Sequence, residues 1–318
     1  MVTDYKIRLN LPEINRLAAH DPQGLIDQSE DRYRRQIRQV ADAFCRHMTQ
    51  NRLILLAGPS SSGKTTTSLN LQAELHRRRI NTLSISLDDF FEDRALAPYL
   101  PDGTQDLESP ALVDVEELER CLSLLEQNGQ HDFPLYDFTI GKRSQQRKTL
   151  HYDDHTAIII EGLHAINPVI CARPYFLHAM KIYISVKAEY YLDERRILST
   201  REMRMLRRII RDNNFRGCGP AATLGMWGNV VAGEERYIRP FRTAADFWID
   251  SLHLYEPLLY RSMLEELLEP LRGDTFLGDF VGRILEQVSF FSYFSMEGIP
   301  ADSLMREFIV FPETPSEK

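Results

Sequence analysis

The sequence predicts a three-layer α/β/α fold built on a mainly parallel sheet, and three observations carry that prediction. The apolar runs Leu53–Ala57, Thr156–Gly162 and 181–186 are short, continuous and rich in β-branched residues, the pattern of strands buried on both faces. Stretches with helical periodicity alternate with them. The first run ends in G-x-x-x-x-G-K-T, from Gly58 through Lys64 to Thr65, and a helix-forming stretch, 66–78, follows at once. Strand, glycine-rich turn and helix in that order make a phosphate-binding P-loop, so the expected fold is that of a P-loop NTPase.

The chemistry of the loop follows from its residue types. Gly58 and Gly63 have no Cβ, so the backbone can turn sharply and bring the N–H groups of Ser60, Ser61, Ser62, Gly63, Lys64, Thr65 and Thr66 toward phosphate oxygens. Lys64 adds positive charge for the β- and γ-phosphates, and the Thr65 hydroxyl is suited to ligating Mg²⁺. The positive end of the following helix faces the same anion. ATP and Mg²⁺ are therefore the expected cofactors.

The 318 residues, 43% hydrophobic and 26% charged, suffice for one large domain plus an appendage. A net charge of −8 argues against a surface built to coat nucleic acid. Cys45, Cys121, Cys171 and Cys218 show no C-x-x-C spacing, which points to reduced thiols rather than zinc or disulfides. The first residues lack an apolar signal core and no run of about 18 apolar residues occurs, so no membrane partner and a cytoplasmic location are expected. Only residues 313–318 suggest disorder.

Taken in order, residues 1–49 form an N-terminal extension: an alternating piece at 5–11, then an amphipathic helix at 30–48 with Ile37, Val40, Ala41 and Phe44 on its apolar face. Residues 50–251 hold the P-loop domain. Its second strand, 81–87, delivers Asp88 and Asp89 at a carboxyl end, where open α/β sheets bind ligands. An Asp there can serve as the base that deprotonates an attacking hydroxyl, or cap a local turn. A polar loop, 94–110, leads to a helix at 112–127 with Gly129 just beyond it. The aromatic stretch 133–143 can line a pocket as a loop or pack as a hairpin. Glu161 ends the strand Thr156–Gly162, beside the P-loop, with His164 close behind.

Residues 193–216 read as an Arg-dense helix. Arg204, Arg208 and Arg211 recur at i, i+4 and i+7, and Glu194, Glu202 and Asp212 do not balance the bases, which favours a lid over phosphates against a solvated surface helix. A last strand is expected at 245–251. Residues 252–318 carry apolar-periodic helices and form a C-terminal helical appendage, one possible use of which is a subunit contact in a homo-oligomer.

Lined up, the motifs resemble those of the uridine kinase and phosphoribulokinase family. They are GPSSSGKT from Gly58 to Thr65, D-x-F-F from Asp88, D-L-E-S-P-A-L-V-D from Asp106, P-L-Y-D-F from Pro134, I-I-E-G from Ile159 and R-R-I-I-R-D from Arg207. G-E-E-R-Y-I-R-P from Gly233 and I-P-A-D-S-L-M-R-E-F-I from Ile299 are similar to a bacterial uridine-kinase-like branch. Members of that branch often carry a further N-terminal domain similar to one of threonyl-tRNA synthetases, for which the N-terminus here has no room.

The resemblance implies roles for individual residues. Asp88 would be the base, Lys64 the phosphate clamp, and Thr65 and Glu161 the Mg²⁺ residues. Glu108 would stand at the acceptor hydroxyls, where uridine kinases have Asp, with Tyr136, Phe138 and Arg143 beside it. Arg207, Arg208, Arg211 and Arg216 would be lid and substrate arginines, with Arg208 and Arg211 acting in catalysis. Pyrimidine-selective members usually have a base-contacting His after Y-D-F; the aligned residue here is Gly141.

The expected activity is transfer of the γ-phosphate of ATP to a primary hydroxyl, with a nucleoside 5′-hydroxyl, uridine- or cytidine-like, as the first reading. A sugar, polyol or vitamin-like alcohol is the second. A regulatory nucleotide-switch NTPase is disfavoured, because N-K-x-D is absent and Asp88 and Glu108 would have no purpose. A scaffold that has lost catalysis conflicts with the intact set Lys64, Thr65, Asp88 and Glu161.

Overall fold

A computed structural model describes residues 6–48 and 51–311; Tyr5, at the head of the expected extended piece, and residues 313–318 lie outside them. The N-terminal region is more structured than its periodicity suggested. Strand β1 (Ile7–Asn10) is followed by α1 (Leu11–His20) and α2 (Pro22–His47), so the helix expected at 30–48 is the later part of a longer one. The Asn10 side chain accepts from the Glu13 N–H, and Asp21 closes α1 and caps α2 through the Gly24 N–H, with a proline in the first turn of each helix.

The central layer is a five-stranded parallel sheet in the order β10-β7-β2-β6-β3. It comprises β2 (Leu53–Ala57), β3 (Asn81–Ser86), β6 (Thr156–Gly162), β7 (Met180–Ser185) and β10 (Phe247–Asp250). The P-loop leaves the carboxyl end of the central strand β2 and enters α3 (Lys64–Arg77). Along β2 the side chains alternate between two cores: Ile54 and Leu56 join one, Leu53, Leu55 and Ala57 the other.

The second core lies under α4 (Val115–Asn128) and α5 (Pro168–Cys171). Asp114 caps α4 through the Glu117 N–H, and Gly129 ends it at φ 72°. The first core runs without a break through α1, α2, α3, α6 (Thr200–Phe215), α8 (Glu256–Leu268), α9 (Gly278–Ser289) and Leu304, Met305 and Phe308. The N-terminal extension and the C-terminal helices are thus packed side by side on one face of the sheet.

One stretch takes the second of the two forms its sequence allows, and another departs from the sequence reading. Residues 133–143 belong to an antiparallel hairpin, β4 (Gln130–Asp137) and β5 (Lys142–His151), whose tip reaches over the carboxyl end of the sheet. The Arg-rich stretch does not become helical until Thr200. Before it, β8 (Ala188–Leu192) and β9 (Arg195–Leu198) pair antiparallel around Asp193 at φ 50°, and β1 adds to β8 in parallel. Ser199 and Glu202 form a reciprocal capping box that starts α6 there, leaving Arg195 and Arg196 on a strand. Helix α7 (Pro220–Tyr237) then packs against α6.

Candidate active site

The P-loop geometry demands its glycines. A Cβ on Gly58 would collide with the Ile184 carbonyl, and Gly63, at φ 94°, would place one 2.6 Å from Leu304 Cδ1. Ser61 adopts a left-handed φ of 58° without being glycine. Beyond the loop opens a cavity of about 490 Å³, lined by Ser60, Ser61, Lys64 and Thr65 on the loop side. Gly58, Ser62, Gly63 and Thr66 complete the loop and the first turn of α3 around it. Burial pushes the Lys64 ammonium below its usual pKa, a shift opposed by the negative charges of Glu161, Asp88 and Glu307.

Carboxylates reach this cavity from the ends of two neighbouring strands. Ser86 of β3 pairs in register with Glu161 of β6, which itself faces Leu56 of β2, two residues before Gly58. The Ser86 hydroxyl donates to Glu161 at 3.3 Å. Burial pushes the Glu161 carboxyl up to about 7, against the pull of Lys64. Asp88 sits on the turn Leu87–Phe90 and also lines the cavity; burial raises its pKa, opposed by Lys64 and Arg216. Its neighbour Asp89 is used differently, accepting the Tyr136 N–H at 3.1 Å and so fastening the hairpin. Glu108 completes the acidic side. Burial lifts it to about 7, against Arg208 and Lys64, and Gly233 of α7 packs directly on its Cβ.

Of the expected arginines, Arg208, Arg211 and Arg216 line the cavity. Arg208 Nη1 donates to Ser60 Oγ at 2.7 Å. The buried Asp212 gathers all three, at 3.2 Å from Arg208, 2.7 Å from Arg211 and 3.7 Å from Arg216. Two arginines expected at the substrate are placed elsewhere. Arg207 is fully buried, with Nη2 2.8 Å from Glu256 Oε2 and 2.9 Å from the Ser251 carbonyl. Arg143 braces the hairpin just behind its tip through the Phe90 and Phe91 carbonyls and Asp114, at 3.0 to 3.1 Å. Neither reaches the cavity, because each spends its donors on carbonyls and a carboxylate of the scaffold.

The far end of the cavity is aromatic. Tyr136 meets Phe138 edge-on at 5.0 Å and Phe91 at 5.8 Å. Arg94, in the expected polar loop, joins them and donates to the Phe138 carbonyl at 3.0 Å. Gly141 lies under it at φ 70°, and a Cβ there would stand 3.1 Å from Arg94 Cβ. His164 is buried edge-on to Tyr237, and its pKa falls to about 4 through burial, so it is neutral at physiological pH.

Three residues at or behind the cavity wall had no role in the sequence reading. Asp212 was visible as the last residue of R-R-I-I-R-D but read only as a weak counter-charge. Arg94 carries no motif of its own. Glu307 lies in the tail motif from Ile299, and its carboxylate accepts the Thr66 N–H at 3.1 Å, at the amino end of α3. Only the three-dimensional return of the tail to the P-loop reveals it.

Known proteins agree with this architecture. A uridine kinase of Staphylococcus epidermidis is 26% identical over 203 residues, covering 64% of this chain and 88% of the relative. One of Bacillus subtilis is 24% identical over 204 residues, covering 64% and 87%. In fold, the chain is similar to a protein described as a fructose transport system kinase from Silicibacter sp. TM1040, with TM-score 0.51, 21% identity, and coverage of 67% of this chain and 98% of that one. The model of the phosphoribulokinase / uridine kinase family matches residues 53–255. The chain belongs to that family and is a phosphotransferase with an alcohol group as acceptor.

Proposed function

We propose that the protein transfers the γ-phosphate of ATP, with Mg²⁺, to the primary hydroxyl of a small acceptor, the 5′-hydroxyl of a nucleoside in the first instance. The observation that carries this reading is the single cavity shared by the P-loop, Asp88, Glu108 and the aromatic hairpin tip. One end is suited to polyphosphate and the other to a planar, hydroxylated molecule.

In this reading the acceptor hydroxyl lies between Asp88 and the γ-phosphate. Asp88 takes the proton as the oxygen attacks phosphorus in line and the bond to the bridging oxygen breaks, releasing ADP. The raised pKa of Asp88 makes it a better base than an exposed carboxylate. Lys64, Arg208, Arg211 and Arg216 offset charge on the phosphoryl oxygens, and Asp212 holds those arginines in place beforehand. Oxygen donors with few protein ligands suit Mg²⁺, which keeps waters and binds substrate phosphates; the Thr65 hydroxyl and the Glu161 carboxylate would hold it, where it supplies charge neutralisation at the phosphates.

Arg94, packed against Gly141 where the resemblance expects a base-contacting His, supports a second reading, a sugar, polyol or vitamin-like alcohol as acceptor. A coupled ADP-release screen over nucleosides, sugars and polyols, with Asp88→Ala as the blank, tests both. If no small alcohol is phosphorylated and nucleotide is hydrolysed only with RNA or a protein added, a regulatory NTPase replaces both readings.

A further inference from the structure

Two arginines of α6 stand behind the P-loop rather than in the cavity, and each faces a peptide carbonyl of the loop. Arg204 Nη1 donates to the Ser60 carbonyl at 3.1 Å, and Arg207 Nη1 to the Ser61 carbonyl at 3.3 Å. The residue flanked by those two peptides is Ser61, held at φ 58° on the cavity wall, a conformation that L-residues rarely adopt outside glycine. A trans peptide is planar, so its C=O and the following N–H point opposite ways. Holding the Ser60 carbonyl from behind therefore turns the Ser61 N–H toward the front, where the cavity lies.

The arginines are themselves fixed. Arg204 is 3% exposed and paired with Glu234 of α7. Arg207 is fully buried and engages both oxygens of Glu256 together with the Ser251 carbonyl and hydroxyl. Each carboxylate offsets the buried charge and leaves one arm of the guanidinium fork for a loop carbonyl. Arg208 reaches Ser60 Oγ as well, so a single helix grips the loop at several points.

We propose that Arg204 and Arg207 are positioning residues: two ion-paired arginines of α6 hold the Ser60 and Ser61 carbonyls and thereby keep the Ser61 N–H aimed at the phosphate the loop receives. The proposal rests on the donor reading above, in which the P-loop takes a nucleoside triphosphate. It gives α6 a role beyond that of a lid, since part of its arginine content is spent on shaping the anion cradle. A role in packing alone would need only the ion pairs, not the bonds to the loop.

The double variant Arg204→Met/Glu234→Met separates the two roles, because a buried ion pair can be replaced by apolar residues of similar size without loss of stability. Titration with inorganic pyrophosphate and with MgATP, beside thermal melts, reads the outcome. We expect an unchanged Tm with pyrophosphate bound about tenfold or more weakly, because the donor that faces the anion is no longer pre-aligned. Pyrophosphate affinity within twofold of the parent, or a loss that only follows a fall in Tm, overturns the proposal. Should the double variant not fold, Arg204→Lys decides: weaker pyrophosphate binding at an unchanged Tm supports it, and unchanged affinity overturns it. A parent protein that binds neither pyrophosphate nor ATP would instead sink the donor reading itself.

Discussion

The Glu307 carboxylate accepts a hydrogen bond from the Thr66 backbone N–H at 3.1 Å, so an anionic side chain of the C-terminal segment occupies the amino end of the P-loop helix. Backbone N–H groups at that position are what a P-loop offers to nucleotide phosphate. Leu304, Met305 and Phe308 anchor the segment in the core, while Glu307 lines the cavity. The side chain therefore competes with phosphate for a donor and adds a like charge beside it. We predict that Glu307→Gln binds pyrophosphate about fivefold more tightly, the order of one charge at a helix end, about 1 kcal/mol. Weaker binding in isothermal titration would make Glu307 a nucleotide contact instead of a competitor.

The two adjacent aspartates should separate cleanly. Asp88 lines the cavity, whereas Asp89 is committed to the Tyr136 N–H. Asp88→Ala is expected to keep ATP affinity while turnover falls about a hundredfold or more, the loss typical of a general base. Asp89→Ala should instead raise the acceptor KM, because the hairpin tip loses its tether. Single-turnover rates and equilibrium ATP binding on both variants check this, and near-normal turnover in Asp88→Ala would remove the base assignment.

The P-loop side of the cavity was legible in the sequence because its geometry is local. Strand, loop and helix are contiguous from Leu53 to Arg77, and a single motif specifies both backbone path and chemistry. Glu161 was legible for a related reason, since a buried parallel strand carries its last residue to the same edge. The arginines were not resolved individually. Arg207 and Arg208 are sequence neighbours on a helix, but about 100° of rotation sends one into the core toward Glu256 and the other to Ser60. Helical spacing gives their separation and not which face meets the sheet. Glu307 and Arg94 depend on contacts across 241 and 44 positions, to Thr66 and Phe138, for which periodicity has no signal.

Glu108 should give acceptor binding a pH dependence. Its carboxyl is pushed up to about 7 by burial, with Asp88 and Asp106 adding to the rise and Arg208 and Lys64 opposing it. Only the ionised form accepts hydrogen bonds at both oxygens, so acceptor hydroxyls are held better above that pKa than below it. We expect the acceptor KM to fall as pH rises from 6 to 8, by up to roughly tenfold, the change in ionised fraction across a pKa near 7. In Glu108→Gln the KM should be higher and flat over the same range. A parent KM independent of pH would show that Glu108 does not meet the acceptor.

Arg94 and Gly141 form a coupled pair at the aromatic end of the cavity. A side chain on Gly141 would have to tolerate φ 70° and meet Arg94 at 3.1 to 3.3 Å. Gly141→His is therefore expected to lower stability by about 1–2 kcal/mol, the usual cost of a left-handed L-residue, without creating pyrimidine selectivity. Arg94→Ala should raise the acceptor KM severalfold with the ATP KM unchanged. Selectivity measured across the acceptor panel decides the point, since a gain for uridine in Gly141→His alone would mean that Arg94 yields.

Glu30 ties the two ends of the chain together and sets an acid limit on stability. It is 2% exposed on α2, accepts from the Tyr255 hydroxyl at 2.7 Å and lies 3.5 Å from His253 Nε2. Burial by itself would raise its pKa. The neighbouring His253 ring and hydrogen bonds from Ser303 and Tyr255 outweigh burial and bring it down from 4.5 to about 2. A depressed carboxylate contributes stability that is present above the unfolded pKa and lost as pH falls through the folded one, so the window runs from about 4.5 down to about 2. The shift corresponds to about 3 kcal/mol. Because Ser303 begins the turn that carries Glu307, loosening Glu30 should also free the tail from the P-loop. We predict that Glu30→Gln is less stable than the parent by about 2–3 kcal/mol at pH 7, and that the gap closes below pH 3. Urea unfolding at pH 7, 5, 3 and 2 measures it, and a difference that stays constant with pH would mean that the carboxylate is not what holds the two ends together.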